Sequence, residues 1–389
     1  MRVVVVGGGI VGAACARELA LHGAEVELID RVGVAGETSS RCEGNLLVSD
    51  KVPGPEADLA IVSTRMWREL AAQLDDERDA GTPHTEYEPK GGIVVSFAGG
   101  ADALADLTVK QAALGIRSEK LSTDDLYESE PHLTREVAVG YSYPDDAQVQ
   151  PSNATQALFA AAVRAGARLR VAEVTGARLG GDGRIVGVQT TTGDVPADAV
   201  VNCCGPWSGE LAARLGSSLD IRPRRGVILV TTPMPQRVFH KVYDADYVGA
   251  VGSADAALQT STVVESTPGG TVLIGSSRER VGFDDSPGLA PVREIAAKAT
   301  KLFPFLADTM LLRTYFGFRP YAPDHLPIIG EDPRVPGLFH ASGHEGAGIG
   351  LAPITAELVA HAVLGTPTRV DAAPFSPARP SLSLESPAT

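Results

Sequence analysis

Three glycines at positions 7, 9 and 12, in Met1-Arg-Val-Val-Val-Val-Gly-Gly-Gly-Ile-Val-Gly12, are the residues whose spacing most directly specifies chemistry. An apolar strand that runs into this spacing builds a pyrophosphate site. Gly7 permits the tight turn, Gly9 lets a diphosphate approach the backbone, and Gly12 lets the next helix pack on the strand. That helix reads as Ala13 to Leu21, and its first N–H groups lack partners within the helix and face the phosphates. Asp30 closes the run Val26-Glu-Leu-Ile-Asp30, eighteen residues beyond Gly12, where a carboxylate can accept both hydroxyls of an adenosine ribose. Its charge repels a 2′-phosphate, which disfavours NADP. Strand, glycines, an Ala-rich helix to Leu21, Gly23 and an acid-terminated strand thus follow in the order of a dinucleotide-binding unit.

Glycine-rich chemistry returns near the other end, in Ser342-Gly-His-Glu-Gly-Ala-Gly-Ile-Gly350, ahead of a helical pattern from about Ala352 to Leu364. Gly343, Gly346 and Gly348 would let backbone approach a flat ligand, and the helix N-terminus favours a group that gains negative charge. His344 on this turn has two readings, ligand contact or structural cap. Between the two glycine regions, Arg319 in Gly317-Phe-Arg-Pro320 offers a fork matched to a carboxylate. An Arg before Pro is, on its own, usually a surface residue or a structural ion pair.

The elements that must position these residues follow from periodicity. Helical patterns cover roughly 56–75, 151–166 with Ser152 or Asn153 as N-cap, and 291–303. Strand patterns cover 93–97, 169–174, 185–190, 199–203, 221–232 and 270–275. Cofactor chemistry at both ends implies a discontinuous domain, residues 1–85, 145–220 and 321–371, with a substrate domain from 86–144 and 221–320. The fold class expected is α/β plus α+β, a Rossmann-like dinucleotide domain interleaved with a mixed or antiparallel sheet. Residues 372–389 read as a Pro/Ser/Ala-rich tail, disordered beyond Arg379.

The net charge is −14, without a Lys/Arg run, which argues against nucleic acid and anionic membranes as partners. No apolar run approaches the roughly 18 residues of a membrane span, and no leader precedes the first strand, so a cytoplasmic protein is expected. Cys15, Cys203 and Cys204 read as packing residues, and Cys42 lies in a Gly/Ser-rich loop near the cofactor; none has metal-ligand spacing. Tyr243 and Tyr247 suit either a substrate lid or the core. Arg278 and Arg280 read as surface charges, and Asp50 and Lys51 as a solvated turn.

Four motifs in order resemble the FAD-dependent D-amino-acid oxidase-like superfamily, which includes glycine and sarcosine oxidases. Beyond the first unit they are Gly36-Glu-Thr-Ser-Ser-Arg-Cys-Glu-Gly-Asn-Leu46, Val200-Val-Asn-Cys-Cys-Gly-Pro-Trp-Ser208, Phe316–Pro320 with Leu326–Gly330, and Ser342–Gly350 with Pro353. The resemblance implies a flavin-binding domain of the GR2 type. It assigns Arg31, Thr38, Ser39, Arg41, Gly44, Asn45, Leu46, Val174, Cys204, Gly205, Trp207, Gly343, His344, Gly346, Ala347, Gly348 and Ile349 to FAD, beside Gly7, Gly9, Ile10, Val11, Gly12 and Asp30. It places Arg319 and Tyr247 on substrate, and Arg319 and His344 at the reacting centre. Residues Thr38 to Lys51 resemble most the β-type subunits of opine oxidases, hydrogen cyanide synthase and proline or hydroxyproline dehydrogenases.

What this implies is oxidation of the C–N bond of an amino acid, imino acid or opine, by hydride transfer from the α-carbon to flavin N5, with hydrolysis or release of the imine. The resemblance favours a dehydrogenase that passes electrons to an iron–sulfur or second flavin subunit, in a homo- or hetero-oligomer; the alternative is an oxygen-using oxidase that makes peroxide. The Cys and His that relatives use for covalent attachment are missing from their places near Phe318 and within Ser39 to Cys42, so dissociable FAD is expected. Two readings of another class remain: a flavin-binding tRNA-modifying or structural subunit, and an NAD-only dehydrogenase.

Overall fold

Four consecutive valines, Val3 to Val6, are buried on both sides of the central strand Arg2–Val6, as a strand covered on two faces requires. The computed structural model describes residues 1–286 and 288–382. The central strand belongs to a six-stranded sheet in the order Ile328–Glu331, Leu338–Ser342, Ala199–Asn202, Arg2–Val6, Glu25–Asp30, Arg168–Val171. All neighbours are parallel except the edge strand Ile328–Glu331. Val3 and Val5 pack under the helices Ile10–Leu21 and Gly348–Leu364, while Val4 and Val6 meet a small three-stranded sheet around Ile185 and Val188.

An eight-stranded sheet runs in the order Leu311–Tyr321, Arg222–Thr231, Val272–Arg278, Gln259–Ser266, Lys241–Asp244, Gly92–Ser96, Val139–Tyr143, Glu119–Lys120. Its described pairings are antiparallel save one, between Lys241–Asp244 and Gly92–Ser96. The helix Leu289–Leu302 covers one face through Ile295, Ala299 and Leu302. A parallel nucleotide-type sheet thus alternates along the chain with a mixed sheet, the fold class expected from the sequence.

Several elements differ from expectation. Helix Pro151–Arg164 is capped by Gln150, whose side chain accepts from Asn153 N, and not by Ser152 or Asn153. Proline at the first helical position lacks the N–H that would be orphaned there, so the cap falls on the residue before it. The 169–174 run divides into Arg168–Val171 and Val174–Leu179, which serve different sheets. The longest strand, Leu311–Tyr321, was not marked by alternation, because its first four residues are exposed on both sides. Residues 380–382 form a short turn, and the rest of the expected tail, 383–389, lies outside the described residues.

The expected absence of a long apolar run is also corrected. Glu345–Leu364 is long and apolar enough to cross a membrane, with mean hydropathy 1.6. It is instead a core helix, buried from Leu351 to Ala360 against the helices Ile10–Leu21 and Pro55–Asp76. Pro353 lies inside it and cannot donate to the carbonyl of Ile349, four residues earlier. Trp67 Nε1 donates to that freed oxygen at 2.9 Å, and Ser63 Oγ donates to Gly350 O at 2.6 Å. The substitution Trp67→Phe keeps most of the apolar surface and removes the donor. It should lower stability by about 1–3 kcal/mol, the cost of an unpaired buried carbonyl, measured by urea denaturation.

Candidate active site

The cleft that contains the predicted residues holds about 1640 Å³ of free space, part of it open to solvent. It begins at the C-terminal ends of the parallel strands, where Gly7 turns with φ +112°. A Cβ on Gly12 would overlap the carbonyl oxygen of Gly7, so the close approach of helix to strand admits only glycine. Gly9 caps the helix Ile10–Leu21 without a side-chain hydrogen bond, and Ile10 N donates to Ser39 Oγ at 2.9 Å. Asp30 Oδ2 accepts from Gly8 N at 2.7 Å, and Oδ1 accepts from Val32 N and Gly33 N. The acid expected at a ribose therefore also fixes the glycine loop. Arg31 lies over the Trp207 ring at 4.5 Å, and Trp207 stacks on Phe283.

At the other end of the cleft, strands Arg222–Thr231 and Leu311–Tyr321 pair with Gly226 opposite Gly317. A Cβ on Gly226 would overlap the Arg319 guanidinium, and one on Gly317 would press on Arg41 Cβ at 2.9 Å. The two glycines are the space in which the Arg319 and Arg41 side chains lie. Arg319 Nη1 donates to Ser277 O at 2.8 Å, and among the described residues no carboxylate comes within 4.0 Å of it. Burial, reinforced by neighbouring Arg278, pulls its pKa down to about 10, which leaves it charged at neutral pH.

Arg278 is a correction. It is 2% exposed, packs over the Tyr247 ring at 4.7 Å and donates to Ser261 Oγ. The strand Val272–Arg278 carries it into the sheet interior beside the substrate end of the cleft, a placement set by long-range pairing that local charge density did not reveal. Arg280, in contrast, lies half-buried over Tyr321. Asp50 and Lys51 are also corrected, from a solvated turn to a buried ion pair, 8% and 5% exposed. Tyr247 is buried and lines the cleft, with Tyr243 packed behind it.

Two carboxylates that the sequence reading did not single out face the same space. Glu43 lies on the cleft wall, with Oε2 accepting from Asn45 Nδ2 at 3.2 Å and Oε1 without a partner. Glycine at 275 is what admits it, because a Cβ there would overlap Oε1. Glu345 adopts φ +47° and is held by Arg224 Nη1 and by His325 Nδ1 at 3.3 Å. Against its burial, these partners hold its carboxyl below the usual range. The useful sequence signal was glycine inside strands, at 226, 275 and 317, where side chains must pass.

Of the predicted residues, Gly7, Gly9, Ile10, Val11, Asp30, Arg31, Thr38, Ser39, Arg41, Gly44 and Asn45 line the cleft. So do Val174, Cys204, Gly205, Trp207, Tyr247, Arg319, His344, Gly346, Gly348 and Ile349. Gly12 supports the turn from behind, Leu46 lies in the core, Gly343 packs over Ala322, and Ala347 lines an adjoining recess. His344 Nε2 meets Thr355 Oγ1 at 2.9 Å, and burial pulls its pKa down to about 4. A neutral imidazole committed to the helix Gly348–Leu364 orders the turn. Cys42 lines the cleft as a thiol, since burial pushes its pKa up to about 12.

The fit to a flavin dinucleotide rests on this cradle: a glycine turn closed to side chains, an uncapped helix start, and a second glycine turn at the far end of one continuous cleft. The family described as FAD dependent oxidoreductase (DAO) matches residues 2–362. Glycine oxidase of Geobacillus kaustophilus (strain HTA426) is 31% identical over 386 residues, 96% of each chain. A crystal structure of glycine oxidase from Geobacillus kaustophilus superposes with TM-score 0.87, at 29% identity, over 97% of this chain and 99% of that one. Bifunctional protein ThiO/ThiG of Nostoc sp. is 29% identical over 93% of this chain, which spans 52% of that longer protein. L-proline dehydrogenase from P. horikoshii shares the fold, with TM-score 0.86 at 23% identity over 97% of this chain and 96% of that one.

Two glycine variants should separate the halves of the cleft. Gly12→Ala, which forces the helix away from the turn, should purify with little FAD. Gly226→Ala should retain the yellow cofactor and lose its response to substrate, because its Cβ takes the place of the Arg319 guanidinium. Visible absorbance of the purified variants and flavin bleaching by amino acids report the two effects independently.

Proposed function

The chain belongs to the FAD-dependent oxidoreductase (DAO) family, and on that premise we propose that it oxidises the C–N bond of a small amino or imino acid. The observation that carries this reading is Arg319, a half-buried guanidinium in the cleft wall with a backbone carbonyl as its partner and, among the described residues, no carboxylate within 4.0 Å. A partly desolvated cation without an ion-pair partner in contact is under-compensated, and a substrate carboxylate supplies that partner. Around it stand Arg278, Tyr247, Glu43 and Glu345, all within electrostatic reach. Positive charge for a carboxylate and negative charge for an amine thus border one cavity, the complement of an amino acid. The glycine oxidases similar to this chain act, by name, on such a substrate.

Bound FAD supplies the two-electron acceptor for the α-C–H bond. Ile10, Ser39 and Asp30 hold the glycine loop that would carry its diphosphate and ribose, and the turn Ser342–Gly350 closes the other end. Non-covalent attachment remains part of the proposal. Arg319 anchors the carboxylate and so orients the α-carbon, while Tyr247 and Arg278 wall the anchor from solvent. His344, already neutral above pH 5 with its pKa near about 4, holds the turn and moves no proton. Proton loss from the amine then precedes oxidation without a histidine base.

The test is anaerobic mixing of the purified protein with glycine, sarcosine, both enantiomers of proline, hydroxyproline isomers and opines, followed by oxygen. Bleaching of the flavin by one of these supports the reading, and no bleaching by any overturns it. Fast reoxidation by oxygen marks an oxidase; slow reoxidation marks the dehydrogenase favoured by the 38–51 segment, with electrons leaving to a partner protein. Arg319→Met should keep FAD and lower kcat/KM on the order of a hundredfold, as loss of a charge-assisted fork requires. The reduction rate should rise from about pH 7 to 9 with amine deprotonation, and His344→Gln should leave the shape of that profile unchanged.

A further inference from the structure

A recess opens off the cleft between the segment 45–51, the helices Pro55–Asp76 and Gly348–Leu364, and Tyr247. Counting space open to solvent in both, it holds about 320 Å³ against about 1640 Å³ for the cleft, and the two share Asn45, Tyr247 and Gly346. Its wall carries Asp50, Lys51 and Thr64. Lys51 Nζ lies 3.1 Å from Asp50 Oδ1 and 3.2 Å from Glu56 Oε1. Oδ1 thus meets the Lys51 ammonium as an ion pair without good hydrogen-bond geometry, in a residue that is 8% exposed. A buried carboxylate oxygen in that state has room for a better-aligned donor.

We propose that this recess is a side-chain subsite for a hydroxyl-bearing amino or imino acid, whose O–H donates to Asp50 Oδ1. The inference rests on the proposed function, since the carboxylate anchored at Arg319 is what directs a substituent toward the shared wall of Tyr247 and Gly346. A hydroxyl fits better than an ammonium. Although burial opposes its charge, Asp50 and Glu56 hold the Lys51 ammonium above its usual range, so the cation beside Oδ1 stays charged and repels a second one. Glu56 is pushed the other way, upward by burial, and stays engaged with Lys51. The lysine can also donate to the hydroxyl oxygen, so both partners of the pair serve one group. A recess smaller than the main cleft and walled by Leu47, Ala60 and Leu351 leaves the rest of the substituent short and apolar.

Matched substrates that differ by one hydroxyl test this on the holoenzyme: alanine with serine, and proline with 4-hydroxyproline, in both chiralities. In the pair that bleaches the flavin, the hydroxylated member should show an apparent Kd lower by about tenfold or more, the range of a hydrogen bond to a charged group. In Asp50→Ala, where Glu56 still pairs Lys51, the ratio within the pair should fall toward one, a change that a general loss of activity does not produce. Equal Kd values within the pair, or a ratio that survives Asp50→Ala, overturn the proposal and leave Asp50 and Lys51 as a loop anchor. Cyclopentanecarboxylate and its 3-hydroxy derivative, which carry no amine, give a binding readout through the flavin spectrum. Tighter binding of the hydroxylated acid supports the subsite even where no amine bleaches the flavin and the functional reading fails; equal binding overturns the subsite alone.

Discussion

A half-buried guanidinium with no carboxylate within 4.0 Å among the described residues is the constraint around which one end of the cleft is organised. Arg319 reaches its place because two antiparallel strands omit side chains at Gly226 and Gly317, and its hydrogen bond to Ser277 O fixes one edge of the fork. Glycine weakens a strand interior, since it packs nothing and loses more chain entropy on folding. Here both glycines stand in the longest ladder of the eight-stranded sheet, whose paired length offsets that weakness. The sheet therefore tolerates a local loss of packing exactly opposite residues that need room, and the flanking loop of Thr38 and Arg41 closes over the same strand, with Thr38 Oγ1 donating to Phe318 O at 2.9 Å.

The two cofactor turns depend on different physics. At the first, steric exclusion decides: Gly12 abuts the Gly7 carbonyl, and Asp30 ties three backbone N–H groups of the neighbouring turns. At the second, helix packing decides. Pro353 frees the Ile349 carbonyl, Trp67 and Ser63 on the helix Pro55–Asp76 take up the carbonyls of Ile349 and Gly350, and His344 closes on Thr355. The start of the helix is thereby pinned from its buried side, which keeps the glycine turn facing the cleft. A residue in the left-handed region at Glu345 completes the turn, with Arg224 and His325 holding a conformation that a non-glycine residue adopts at a cost.

These differences explain what the sequence disclosed. Gly7, Gly9 and Gly12 were legible because steric exclusion leaves a residue-type signature at fixed local spacing, and Arg319 because a flavoenzyme resemblance supplied its context. The alternation of parallel and mixed sheets was legible from glycine chemistry at both ends of the chain. Arg278, Asp50 and Lys51 were not, because local polarity cannot show whether distant elements cover a charge; Tyr247 covers the first, and the helices Pro55–Asp76 and Gly348–Leu364 enclose the other two. The cap of helix Pro151–Arg164 failed for a smaller reason, since a proline at the first helical position puts the cap on the residue before it, Gln150.

Buried charge is also what links specificity to stability in this fold. Lys241, 1% exposed, meets Glu265 Oε2 at 2.8 Å and Asn45 Oδ1, while Asn45 reaches Glu43 on the cleft wall. Lys51 joins Asp50 to Glu56. Apolar replacements of similar volume often match or exceed the stability of such buried pairs, so stability is a weak reason for either cluster. Each cluster instead borders the cleft or its recess and leaves a carboxylate oxygen without a hydrogen-bond partner, Glu43 Oε1 and Asp50 Oδ1. Lys241 and Lys51 set a cation beside each cluster, at the border of the cleft and of its recess.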